Sequence, residues 1–135
     1  MANAVRIVLS IVIGFVVWFV VATVGNFVVR AALPGYAEGE PAMNFTLPML
    51  LARLGLGVVS SIVAGYACAI ALRSYPGAVK FFAVTLVVFF LPVHYSLWAR
   101  FPLWYHVVFL VLLAPLVLLG AKLVRPRVVG KQSAA

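Results

Sequence analysis

The sequence predicts an all-α membrane protein: a single domain forming a four-transmembrane-helix bundle from two helical hairpins. Three observations carry that expectation. Apolar residues make up 67% of the chain and charged ones 9%, where soluble domains carry roughly a quarter charged. Uncharged apolar runs recur at Ile7 to Val29, Leu54 to Leu72, Phe81 to Ala99 and Phe101 to Ala121, each near the about 20 residues a helix needs to cross a hydrocarbon core. The cations are also lopsided. Arg6, Arg73, Lys80, Lys122, Arg125, Arg127 and Lys131 fall on one side of a four-span chain, and Arg30 and Arg100 in connections on the other. Positive residues mark the cytoplasmic side, so both termini are expected inside and the two acids, Glu38 and Glu40, outside.

The net charge of +8 is thereby explained without nucleic acid, which would need a folded polar surface to carry a basic patch. Anionic lipid headgroups are the expected counterpart of the basic side. The single cysteine, Cys68, permits no internal disulfide.

The first span, expected over 5–29, is rich in Val and Ile, which suit a helix in lipid because every backbone group there must bond internally. Its first apolar run exceeds the roughly 7 to 15 residues of a signal-peptide core, so it is expected to stay. Gly14 and Trp18 share a face and serve packing. The connection from Arg30 to Phe45 is the longest, and Pro34, Gly35, Gly39 and Pro41 are expected to keep it free of helix.

The second span, 46–72, opens with Thr46 as N-cap and Pro48 in the first turn. Below it, Gly57, Ser61, Gly65 and Ala69 recur every four residues and make a groove of missing side-chain volume, the pattern that lets membrane helices approach closely. The third span, 79–99, carries Pro92 and the fourth, 103–123, carries Pro115, both expected to bend their helices. Tyr95, Trp98, Trp104 and Tyr105 flank the outer turn between them, where amphipathic rings meet headgroups. Residues 124–135 form a basic cytoplasmic tail.

Polar side chains gather at one end. At 1.5 Å per residue, Arg53 lies about 9 Å and His94 about 7 Å below the outer surface, with Asn26 and His106 at roughly 4 to 5 Å. Glu38 and Glu40 hang above them. An ionisable group within a span suggests function by default; the simpler expectation is that Arg53 pairs with Glu38 or Glu40 and pins the loop over the bundle.

Three functional readings follow. In the first, a non-enzymatic membrane protein works through association with a partner membrane protein, a second copy or lipid, the groove of the second helix being the contact. In the second, an oligomeric small transporter or lipid- or anion-binding protein uses Arg53. In the third, His94 and His106 hold a haem iron or a transition metal, although no metal-ligand motif or cofactor signature is present. All spans lack Asp and Glu, which removes the usual proton-coupled exchanger, and no polar stripe runs through the membrane as a channel requires. Catalytic residues are not expected. In length and hydropathy alone the chain resembles short four-span proteins of the bacterial inner membrane, and the resemblance implies that location.

Overall fold

The structure, a computed structural model, describes residues 2–124; Arg125, Arg127 and Lys131 of the basic tail lie outside them. Helices α1 (Ala2–Ala32), α3 (Leu47–Ala71), α4 (Ala78–Ser96) and α5 (Leu103–Lys122) are each long and apolar enough to cross a membrane, and a short helix α2 (Tyr36–Gly39) interrupts the longest connection. There is no strand among the described residues. The expected four-helix, all-α architecture is what forms.

Three boundaries and one loop differ by more than a residue from expectation. α1 runs three residues beyond each of its expected ends, since nothing in Ala2 to Ala4 or Arg30 to Ala32 breaks a helix; α4 ends at Ser96 rather than near Ala99. The loop expected to hold no helix contains α2. Gly35 adopts the left-handed conformation (φ 82°) that its missing Cβ permits, and this reverses the chain into one helical turn. Pro34 and Pro41 stand outside that turn, where they cannot break it.

α1 packs on α3 and α4, and α5 packs on the same two, so α1 stands diagonally to α5 and α3 to α4. The closest seam is between α3 and α5. A Cβ added to Gly65 would strike the carbonyl of Val117, and one added to Gly120 would strike the carbonyl of Ile62, so the two backbones touch. Gly57, about two turns away on the same helix, meets the Phe109 ring. In lipid, where apolar burial gives little drive between helices, such close packing is what holds them.

The groove expected as a contact for a partner is therefore filled by α5 of the same chain. Gly57, Ser61 and Gly65 are buried within it, whereas Ala69 is only half-buried at its edge.

The outward faces carry Val5, Val8, Val12, Val16, Val20, Val24 and Val28 on α1 and similar residues on the other helices. Such a continuous apolar exterior has lipid as its solvent. Pro92 and Pro115 sit inside α4 and α5 without ending them. Thr46 is the N-cap of α3 with an extended backbone, and its N–H donates to Met49 Sδ at 3.5 Å.

At the end bearing the chain termini, the few polar groups tie helices together. Ser10 Oγ donates to the Ala78 carbonyl at 3.0 Å, and Cys68 Sγ donates to the Ser10 carbonyl at 3.3 Å.

Candidate functional site

The opposite end, where the α1–α3 connection and the α4–α5 turn lie, holds a continuous polar chain. Arg30 Nε pairs with Glu40 Oε1. Asn26 Nδ2 donates to Glu40 Oε2 at 3.2 Å, the Tyr36 hydroxyl donates to Asn26 Oδ1 at 2.7 Å, and Arg53 Nη1 donates to the Tyr36 oxygen at 2.8 Å. Each of α1, α2 and α3 contributes. The sequence explains the convergence: Gly35 turns the chain so that Tyr36 enters the bundle, fully buried and stacked on Phe45 with ring centroids 5.1 Å apart.

The expected pairing of Arg53 with Glu38 or Glu40 does not form; Arg53 bonds to Tyr36 instead. Both Glu40 oxygens are engaged by Arg30 and Asn26, and Glu38 is exposed with no ion-pair partner among the described residues. The Arg53 guanidinium also lies over the Phe45 ring, 4.8 Å from its centroid. Its Nε is buried without a partner. The hydrogen bond from Arg30, assisted by that from Asn26 and opposed by burial, holds the Glu40 carboxyl below the usual carboxylate range.

His94 and His106 come together from α4 and α5, with Nδ1 to Nδ1 at 2.7 Å. Both are buried. Trp98 stacks on His106 at 4.9 Å and 14°, and the His94 ring lies 4.6 Å from that of Phe109. A tetrahedral ion bound by both Nδ1 atoms needs them about 3.3 Å apart, whereas 2.7 Å is a hydrogen bond. No third His, Cys, Asp or Glu among the described residues joins them in a metal-binding group.

Between the polar chain and the histidines lies a cavity of about 400 Å³. Trp18, Phe19, Phe90 and Phe109 form its apolar floor; Asn26, Arg30, Glu40 and Arg53 form its polar head; His94, Leu97, Phe101 and Tyr105 complete the far wall. Its origin is geometric. Toward the terminal end, α1 and α4 are held close, with Gly14 against the Phe82 ring and Phe15 edge-on to Phe82 and Phe89. Toward the loop end, Ala22 and Thr23 of α1 and Val93 of α4 only line the space between them. Phe19, Thr23 and Phe27 at its rim also belong to the exposed side of α1, so the cavity is open toward that apolar exterior. The floor is rigidly placed: Trp18 Nε1 donates to Ser61 Oγ at 3.0 Å, which donates to the Gly57 carbonyl at 2.7 Å.

Compared with models of known families, with curated proteins and with solved structures, the chain matches none. The site is read from its own chemistry.

Of the residues singled out in the sequence, Arg53, Asn26, Glu40 and His94 line one cavity, His106 stands behind His94, and Glu38 lies apart. Three contributors were not foreseen. Tyr36 is the joint of the polar chain, signalled only as an aromatic between a turn-forming glycine and a carboxylate. Tyr105, expected at headgroup depth with its aromatic neighbours, is buried against the cavity, while Tyr95 is 83% exposed. Residue spacing explains it: Tyr105 lies four before Phe109 and shares its inward face. Gly120 answers Gly65 across the α3–α5 seam.

Proposed function

We propose that this small multi-pass membrane protein binds an amphiphile of the bilayer, taking its anionic head at Arg53 and its hydrocarbon chain over the aromatic floor. The observation that carries the reading is one cavity with both chemistries in order. Arg30 has a carboxylate partner in Glu40, but the groups touching Arg53 are the phenols of Tyr36 and Tyr105 and the Phe45 ring, all neutral. The head of the cavity thus has one cation in excess above an apolar floor, which complements a lipid anion.

Access through the side is consistent with a ligand that reaches the site within the membrane. The role is binding or handling of the amphiphile rather than its chemical conversion. In this proposal the membrane is the bacterial inner (plasma) membrane with both termini cytoplasmic, by the charge asymmetry, and the cavity opens in the outer half.

The reading is tested by native mass spectrometry of the purified protein titrated with dioleoyl phosphatidate. Wild type should retain one lipid per chain. Arg53→Gln and the cavity-filling Ala22→Phe should each lose it. Equal retention by all three, or no retention by wild type, overturns the proposal.

A further inference from the structure

The histidine pair has a property that the polar chain does not explain. A 2.7 Å contact between two Nδ1 atoms is a hydrogen bond only if one ring carries its proton there and the other offers a lone pair. Two neutral arrangements satisfy this. If His94 donates, His106 carries its proton on Nε2. That nitrogen is buried with no partner, so an N–H would be sealed with nothing to accept it. If His106 donates, its Nε2 holds only a lone pair, and the proton of His94 sits on its own Nε2. His94, unlike His106, forms part of the cavity wall and has no sealed, unpartnered ring nitrogen.

Resting on the amphiphile-binding reading, we propose that His106 fixes His94 in the Nε2–H tautomer and so makes it a neutral donor to an oxyanion head in the cavity. Arg53 supplies charge and His94 supplies a directed N–H from the opposite wall. Such a pair suits a head with at least two acceptor oxygens, a carboxylate or a phosphate, over a neutral alcohol. His94 is then a binding residue, and His106 is a positioning residue that never meets the ligand. Trp98, stacked on His106, holds that ring in plane.

The chain has two histidines, so selective ¹⁵N-histidine labelling gives four ring-nitrogen signals that read both tautomers directly. The expected spectrum at neutral pH has His94 protonated on Nε2 and His106 on Nδ1; a proton on His106 Nε2 overturns the assignment. Binding is read by native mass spectrometry with oleate, dioleoyl phosphatidate and oleyl alcohol as probes. Wild type should favour an anionic probe over the alcohol, and the preferred anion tells a carboxylate from a phosphate source.

His94→Phe should reduce that preference about tenfold, and His94→Gln, whose amide places an N–H near the same position, should restore most of it. His106→Phe should reduce the preference while leaving oleyl alcohol binding unchanged. A preference unaltered in His94→Phe overturns this inference while leaving the cavity intact as a site. Probe binding unaltered in Ala22→Phe instead overturns the amphiphile reading beneath it.

Discussion

Arg53 of α3 and Tyr36 of α2 are joined by a 2.8 Å hydrogen bond from guanidinium to phenol, and through it the longest loop is fastened into the bundle. The same oxygen donates onward to Asn26 of α1. One hydroxyl therefore serves an intramembrane arginine and an asparagine at once.

Tyr36→Phe leaves both of those groups short of a partner. Stability should fall by about 2 kcal/mol, within the usual cost of stranding buried polar groups, as measured by reversible unfolding in mixed micelles. Amides of residues 36–44 should exchange faster as the loop loosens.

The α3–α5 seam makes opposite demands on neighbouring glycines. Gly65→Ala and Gly120→Ala each push a Cβ into the facing backbone, and each should cost about 3 kcal/mol, the upper end for overpacking, because a main chain yields less than a side chain. Gly55 has nothing within 4 Å of an added Cβ. Gly55→Ala should instead stabilise by about 0.5–1 kcal/mol through helix propensity. The same unfolding measurement compares all three.

Glu40 gives the loop a pH dependence. Its folded pKa lies below the ordinary carboxylate value, chiefly through the Arg30 hydrogen bond. The stabilisation is therefore present above the unfolded pKa of about 4.3 and is lost as pH falls through the lower folded value. Protection of the 36–44 amides, taken relative to the intrinsic exchange rate at each pH, should fall below about pH 4 in wild type. Glu40→Gln should show the lower protection already at neutral pH and little further loss of protection on acidification.

Ser61 bridges Trp18 to the Gly57 carbonyl. Ser61→Ala leaves the indole N–H buried and unpaired, at about 1–3 kcal/mol. A double-mutant cycle with Trp18→Phe should return a coupling of about 1 kcal/mol; additive losses would mean that the bridge contributes nothing.

The spans were legible because lipid imposes a simple rule, a run of apolar residues long enough to cross, and all four helices obey it. The level of the polar residues was legible too, because rise per residue fixes depth: Arg53, His94 and Asn26 do meet at one end. Azimuth was harder to read. Helices apolar on every side have no polar face to orient them, so nothing in α4 announced that Tyr95 turns outward, and nothing in α5 that Tyr105 turns inward. Partner choice depended on the loop. The left-handed turn at Gly35 brings in Tyr36, and charge counting had offered Arg53 a carboxylate instead. The ladder from Gly57 to Gly65 promised a close neighbour, but which neighbour depends on Gly120, a single glycine in a run of leucines.

The contact of Gly65 with Val117 and of Gly120 with Ile62 ties α3 to a helix that is synthesised after it. At about 5–20 residues per second, α3 waits for seconds in the bilayer before α5 emerges. During that interval its glycine-lined side is vacant, and another helix with small side chains is able to occupy it. A transcript truncated before α5 leaves that vacancy permanent, so completion of α5 is the step that commits α3 to a partner within its own chain.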